Sequence, residues 1–173
     1  MQDLKLSPTS YIVLGLLATA PEAELTPYDL KQRMAVSVDN FWSTPHAQVY
    51  REPERLAAGG LVTERREETG RRRRFYAITE AGRAALEAWS HEAPDEAPEL
   101  RDAGVLKLFF GADPAVVAAH QLVVHQAKLA EYEELRDRLG DQMPAAQRRA
   151  LEFGIAWERS TIALWEAQAP PAP

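Results

Sequence analysis

The sequence of 173 residues contains no cysteine. Disulfide bonds, thiol nucleophiles and cysteine-ligated zinc are therefore excluded. Long apolar runs are also missing, since no stretch approaches the ~18 consecutive apolar residues that a membrane span requires. Residues 1–5 lack the pattern of a secretion signal. Because 46% of the residues are hydrophobic, the chain can bury a core, and we expect a folded cytoplasmic protein.

Groupings typical of enzymes are missing as well. The four histidines, His46, His91, His120 and His125, do not have the spacing of a metal site. His125 falls on an apolar helix face, where a histidine is more often a hydrogen-bonded core residue than a ligand. The sequence has no glycine-rich phosphate loop and no nucleophile elbow. We therefore predict no enzyme, no metal and no cofactor.

A surplus of positive charge, which favours nucleic-acid binding, is also absent, because the net charge is −6. The two halves differ, however. Residues 1–90 carry 12 basic and 12 acidic residues, whereas residues 91–173 carry 8 and 14. The densest basic run, Arg71, Arg72, Arg73 and Arg74, lies in the first half. DNA is bound by a local patch and not by the formal sum, so the net charge does not exclude it.

Helix starts are marked in the first half by three dipeptides, Ser7-Pro8, Thr26-Pro27 and Thr44-Pro45. Each combines an N-cap residue with a proline suited to the first helical position. The third helix is predicted to end near Ala58, before the pair Gly59-Gly60.

A hairpin is predicted next. Residues 61–66 alternate like a strand, Thr69-Gly70 indicates a turn, and residues 73–78 return as the partner strand. Thr79 then begins a helix that runs to about Trp89. The order of three helices, a hairpin and a helix is that of a winged helix-turn-helix, which we assign to residues 1–90.

The second half is predicted to be helical. Residues 91–101 are acidic and contain two prolines, which indicates a linker. Residues 102–168 have apolar positions at helical spacing, mainly over 114–139 and 145–168. Such broad apolar faces favour packing against a second subunit, so we expect a helical dimerisation and effector domain. Residues 169–173 are expected to form a disordered tail.

The third helix is the candidate recognition helix. Near its start it carries His46, Gln48 and Arg51, of which Gln pairs with adenine and Arg with guanine in the major groove. Ser43 and Thr44 can bind phosphate beside the exposed amides of the helix start. Apart from Arg51, however, these residues could equally lie on the solvated face of any amphipathic helix.

The hairpin is the more specific signal. Four consecutive arginines, Arg71, Arg72, Arg73 and Arg74, are expected to repel one another and to contribute little to folding, and each can contact a phosphate or a narrow minor groove. The alternative is a winged-helix protein-interaction module without DNA binding, because the fold alone does not imply DNA. The arginines favour DNA, since the core of a protein interface is depleted in charge.

Tryptophans are the candidate effector residues. Trp89, Trp157 and Trp165 can line a pocket for a flat aromatic or hydrophobic ligand at a dimer interface. Ordinary packing is the alternative for each of them. We expect Trp42, which follows the second helix, to pack beneath the recognition helix.

Several segments resemble PadR-type transcriptional regulators. The segments of the first half are residues 6–17, 41–43, 48–52, 55–56, 60–62 and 76–82. Residues 106–111 and 154–158, with Trp165, resemble the subgroup with a virulence-activator-like helical C-terminal domain. The resemblance implies a homodimer that represses transcription from palindromic operators, often released by a small molecule. It also implies that Tyr50 lies near DNA and that the basic wing is Arg71 to Arg74.

One departure from the family concerns Pro53, where a leucine is usual. A proline inside a helix removes a backbone donor and clashes with the carbonyl four residues earlier, that of Val49. We expect a kink between these residues, with the Pro53 side chain still in the core.

Overall fold

Capping residues begin the first two helices of the chain. Helix α1 is Pro8–Thr19 and helix α2 is Pro27–Ala35. The side chains of Ser7 and Thr26 accept hydrogen bonds from the backbone three residues further on. Both predicted starts are therefore confirmed.

The computed structural model describes residues 4–69, 72–94, 97 and 99–169, without the side chain of His46. The chain divides into two units, residues 1–96 and 97–173. Gly70 of the expected turn, Arg71 and residues 170–173 of the expected tail lie outside the described residues, as do parts of the expected linker. Within the described residues, no helix is both long enough and apolar enough to cross a bilayer.

The third helix begins later than the Thr44-Pro45 pair predicts. Helix α3 is His46–Ala58, Pro45 is its N-cap residue, and no side chain caps it. The reason is that Pro45 has an extended ψ of 126°, and the residue before a proline is also kept extended. The expectation that Thr44 caps this helix is therefore wrong. Trp42 also differs from expectation, since it is 49% exposed and is not packed beneath the helix.

The predicted hairpin is confirmed. Strand β1, Val62–Arg66, pairs antiparallel with strand β2, Arg74–Ile78, and Val62 lies opposite Ile78. Helix α4, Glu80–Ser90, follows and is capped by Thr79. The element order is that of the predicted mainly helical winged helix-turn-helix.

A contact that the sequence did not reveal lies at the middle of strand β2. Leu25, ahead of α2, forms a bridge with Tyr76 of β2. The two backbones exchange hydrogen bonds of 2.9 and 2.8 Å. The hairpin is therefore attached to the chain segment that enters α2.

The core of the first unit lies around α1. This helix packs against α2, α3, α4 and β2, so it is covered on several sides. The buried apolar residues of the cluster are Val13, Leu14, Leu16, Leu17, Leu25, Leu30, Met34, Val49, Leu56, Val62 and Tyr76.

Pro53 lies in this core. Its side chain is fully buried, as predicted, because it shares a helix face with Val49 and Leu56. Helix α3 continues past Pro53 to Ala58, so the proline does not end the helix, and the expected kink stays a prediction.

The second unit is helical. Helix α5 is Ala103–Phe109, α6 is Pro114–Leu139 and α7 is Ala145–Glu166. A cluster at the start of α6 contains Val117, Ala118 and the α7 residue Trp165. Further along, Tyr132 of α6 lies against Gly154 of α7, so the two long helices are antiparallel. Ala169 packs against the same cluster.

Gly82 of α4 lies close to Leu61, the residue that precedes β1 in the first unit. A substitution at Gly82 tests this close packing. A Cβ atom at Gly82 would lie 2.1 Å from the carbonyl oxygen of Leu61. Because a backbone carbonyl cannot move aside cheaply, we expect Gly82→Ala to lower the free energy of unfolding in urea by about 2 kcal/mol. Gly15→Ala in α1 is the control, since its Cβ would meet no atom within 4 Å. It should raise stability by about 0.5–1 kcal/mol through helix propensity, and equal stability of the two variants would contradict the packing argument.

Candidate nucleic-acid interface

One side of α3 is anchored by a buried ion pair. Ser10 Oγ of α1 donates to Glu52 Oε1 over 2.7 Å, and Arg55 Nε donates to Glu52 Oε2 over 3.0 Å. Arg55 also donates to the carbonyl of Lys5 over 3.1 Å. The hydrogen bond that Arg55 donates to Glu52 raises the pKa of Arg55. A paired charge thus joins α1, α3 and the N-terminal segment.

The opposite side of α3 is open to solvent. Tyr50 and Arg51 are exposed there, as is Ser43 ahead of the helix. Gln48 is also exposed, and its Oε1 accepts a hydrogen bond of 3.2 Å from the hydroxyl of Thr9. A helix with one buried side and a polar exposed side can enter a DNA groove without losing its packing.

Two other residues expected to contact DNA, Thr44 and His46, lie at the start of α3. Thr44 is 7% exposed, and its hydroxyl is buried without a hydrogen-bond partner among the described residues. A phosphate cannot reach this hydroxyl in the present conformation. The side chain of His46 lies outside the described residues, so its predicted role stays a prediction.

Four arginines of the hairpin are paired with carboxylates of the same unit. The nitrogen–oxygen distances of these pairs lie between 2.6 and 3.8 Å. The pairs are Arg65 with Glu24, Arg66 with Glu64, Arg73 with Glu67, and Arg74 with both Glu54 and Glu64. Hydrogen bonds from Arg66 and Arg73 lower the pKa of Glu64 and of Glu67, respectively, so both carboxylates are ionised at neutral pH.

These pairs correct the expectation that the arginine run only repels itself. Two of the four arginines, Arg73 and Arg74, are compensated by carboxylates that neighbouring segments supply. Arg72 is exposed, has no carboxylate partner among the described residues and has a positive φ of 50°. Arg71 lies outside the described residues. Among the described arginines of the run, the charges of Arg73 and Arg74 are therefore compensated by carboxylates, whereas that of Arg72 is not.

The aromatic ring of Phe75 contacts two arginines of the hairpin. The guanidinium carbons of Arg65 and Arg73 lie 4.4 and 5.4 Å from the centre of the Phe75 ring. Cation–π contacts of this kind fix the direction of an exposed guanidinium. Arg74 also reaches Glu54 of α3 over 3.0 Å, so an ion pair connects the recognition helix with the wing.

Comparison with known proteins identifies the domain. Residues 13–88 match the family described as "Transcriptional regulator PadR-like family". The chain carries a PadR-like domain. It is homologous to the negative transcriptional regulator PadR of Bacillus subtilis, with 27% identity over 136 residues, which are 75% of this chain and 73% of that protein.

Solved structures extend the likeness beyond the PadR-like domain. The crystal structure of Bacillus subtilis PadR in complex with operator DNA aligns with a TM-score of 0.78 and 23% identity, over 91% of this chain and 95% of that one. The same protein in complex with p-coumaric acid aligns with a TM-score of 0.75. The Vibrio cholerae virulence activator AphA aligns with a TM-score of 0.68 and 26% identity, over 92% and 95% of the two chains. The fold thus includes the helical C-terminal region of these regulators.

The candidate effector tryptophans lie in different units. Trp89, at the end of the PadR-like domain, stacks on Tyr11 with ring centres 4.5 Å apart and an angle of 8°. Trp165 is buried against Val117 of the second unit, whereas Trp157 is half-exposed on α7. Trp157 and Trp165 thus differ in burial although both belong to α7, and the role of the three tryptophans stays a prediction.

His125 is paired as the sequence suggested. Its Nδ1 lies 2.6 Å from Oε2 of Glu158, between α6 and α7. Among the described residues, no group of histidine and carboxylate side chains is arranged to hold a metal ion. The matched family is one of transcriptional regulators, which are not enzymes.

Sequence reasoning missed the carboxylates that organise the interface. Glu52 and Arg55 carried the available signal, since an acid and a base three residues apart on a helix indicate a pair. Glu64 directly precedes Arg65 and Arg66 in the sequence, Glu67 directly follows them, and this alternation of charge was the signal of local pairing. Arg74 and Glu54 are distant in sequence, so only the fold reveals that pair.

The buried Glu52 provides a test of how α3 is held. Arg55→Ala would leave a carboxylate that is 8% exposed without its cationic partner. A fully buried pair loses roughly 3–5 kcal/mol when one member is removed. Because the side chain of Arg55 is 37% exposed, we expect a loss of about 2 kcal/mol in the free energy of unfolding. Arg51→Ala, on the exposed side of the same helix, should change it by less than about 0.5 kcal/mol. Similar losses in the two variants would be the contrary result.

Proposed function

We propose that this chain is a sequence-specific DNA-binding transcriptional regulator of the cytoplasm. It acts as a homodimeric repressor at a palindromic operator, and a small molecule releases it. The observation that carries the proposal is the pairing of an exposed helix, α3, with an arginine-bearing hairpin in a PadR-like domain. The related Bacillus subtilis protein is a negative regulator whose structure with operator DNA has the same fold.

Groove recognition is assigned to α3. Gln48 and Arg51 have the side chains that pair with adenine and guanine, respectively, at the edges of base pairs. Tyr50 lies beside them on the exposed side, and we assign it, with Ser43, to the sugar-phosphate backbone. His46 is retained as a candidate, whereas the backbone amide of Thr44, and not its buried hydroxyl, would face a phosphate.

Backbone contact is assigned to the wing. Arg71, Arg72, Arg73 and Arg74 would lie along the phosphates or in the minor groove beside the helix. The ion pair between Arg74 and Glu54 supports this assignment, because it fixes the wing relative to the recognition helix.

Dimerisation is assigned to the second unit. Phe153, Trp157 and Leu164 are 72%, 50% and 68% exposed and lie on one side of α7. A stripe of large apolar side chains left in water is costly, and a second copy of the same helix covers it with the two-fold symmetry that a palindrome requires.

The proposed effector is an aromatic or hydrophobic small molecule. Bacillus subtilis PadR has been crystallised with p-coumaric acid, and indole rings stack on flat aromatic ligands. We propose Trp89, Trp157 and Trp165 as the residues that contact it in the dimer. Adding p-coumaric acid or other aromatic carboxylic acids to the protein–duplex complex, with tryptophan fluorescence as a second signal, tests this part.

Salt dependence tests the proposal of DNA binding. Selection from random or genomic fragments supplies the duplex, and half-sites spaced by ~10 base pairs are expected for two helices in successive major grooves. The plot of log K against log salt should have a slope of about −5 if about six phosphates are neutralised per dimer. Arg72→Ala with Arg73→Ala should weaken binding and flatten this slope.

The control for this experiment is Arg138→Ala, which removes a positive charge from α6 of the second unit. It should leave the slope unchanged. An unchanged slope for the double wing variant would contradict the wing assignment. A folded dimer that binds no duplex in dilute buffer would reject the DNA function and favour the protein-interaction module.

Dimerisation has its own test. Trp157→Glu with Leu164→Glu would place two carboxylates in the apolar stripe, and we expect the protein to become monomeric in sedimentation velocity. Val36→Glu, at an apolar position of the first unit that is 74% exposed, is the matched control and should leave the dimer intact. A dimer that survives the double substitution would place the interface elsewhere.

A further inference from the structure

The wing carries its own counter-ions, and these bear on how tightly a duplex is held. We propose that Glu67 sets the DNA affinity of the wing, because its carboxylate occupies Arg73 in the free protein and competes with a phosphate for that guanidinium. This inference rests on the proposed DNA-binding function. Glu67 acts through Arg73 and is thus a positioning residue, not a DNA contact.

The contact between Glu67 and Arg73 is extensive. Arg73 Nη2 donates to Glu67 Oε1 over 2.8 Å, and Arg73 Nε lies 3.1 and 3.2 Å from the two carboxylate oxygens. The backbone of Arg73 takes part as well, since its amide donates to Oε2 over 3.3 Å and its carbonyl accepts from the amide of Glu67 over 3.0 Å. A two-pronged pair of this kind is stronger than a single surface contact.

The ion pair between Glu67 and Arg73 is accessible from solvent, so a phosphate can compete with Glu67 for Arg73. The side chain of Arg73 is 61% exposed, so a phosphate can approach it. Arg65 is the other positive charge near Glu67, but Arg65 is held by Glu24 over 2.6 Å. The Glu67 carboxylate therefore depends mainly on Arg73 for compensation.

A phosphate that binds Arg73 must displace Glu67 or share the guanidinium with it. Displacement leaves a carboxylate beside a polyanion, and a cation is taken up from solution to compensate it. This uptake offsets the release of a cation from DNA that Arg73 would otherwise cause. The wing then has a lower affinity and a shallower salt dependence than its arginines alone would give.

Glu68 provides a matched control at the neighbouring position. It carries the same charge and is exposed, but it forms no ion pair with a described residue. Glu67→Gln and Glu68→Gln change the net charge equally, so any difference between them reports the contact with Arg73. Glutamine is nearly isosteric with glutamate and can still accept from the amide of Arg73, which preserves the closure of the hairpin.

The test measures binding of the selected duplex at several salt concentrations. We expect Glu67→Gln to tighten binding by about threefold per subunit, or roughly tenfold for a dimer, and to steepen the salt slope by about one unit per subunit. Glu68→Gln should tighten binding by less than about twofold, through long-range charge alone. In the Arg73→Ala background, the two glutamine variants should have the same small effect.

Each other outcome overturns the proposal. Equal effects of Glu67→Gln and Glu68→Gln would show that Glu67 acts only through the net charge of the protein. Weaker binding by Glu67→Gln would show that Glu67 stabilises the hairpin and does not compete with DNA. If Glu67→Gln fails to fold, Glu67→Asp, with a shorter reach to Arg73, replaces it with the same sign of effect. Failure of the wild-type protein to bind any duplex would instead refute the proposed function, so the two failures are distinguishable.

Discussion

The position of the recognition helix depends on one buried interaction, the charge of Glu52 compensated by Ser10 and Arg55. A carboxylate that is removed from water needs both a cation and hydrogen-bond donors. α1 supplies the hydroxyl and α3 itself supplies the guanidinium, which in turn reaches the carbonyl of Lys5. These partners together hold α3 against α1. The exposed side of α3, with Tyr50 and Arg51, is therefore oriented by a polar contact on the opposite side of the helix.

The wing follows a different principle from the helix. Most of its described arginines are paired locally, and residues 1–90 carry equal numbers of basic and acidic residues although their surface bears many charges. A neutral but strongly polar surface attracts a polyanion at short range only, where individual guanidinium groups can exchange partners. The acidic second half adds to this effect, because its surplus of carboxylates opposes non-specific adhesion to DNA. Such an arrangement favours sequence-specific binding over non-specific binding to DNA.

Sequence reasoning predicted the elements well where local signals decide them. Ser7, Thr26 and Thr79 cap helices as expected, because an N-cap interaction involves residues only three apart. It failed at Thr44-Pro45, where the extended conformation of the proline moves the helix start by one residue. At the candidate site, Gln48 and Arg51 were predicted from their place near the start of the third helix and Tyr50 from the family resemblance, and all three are exposed. The pairing of the wing arginines was not predicted, because the partners Glu24 and Glu54 come from segments that only the tertiary fold brings close.

The bridge between Leu25 and Tyr76 has a mechanical consequence. Tyr76 is almost fully buried, and its backbone is fixed on one side by β1 and on the other by Leu25. The hairpin is thus held at its middle rung, Glu64–Tyr76, by backbone pairing on each side of Tyr76, which ties it to the segment that enters α2. Arg74, on the outermost rung, is tied in addition to Glu54 of α3, so the hairpin and α3 would approach a duplex as one piece.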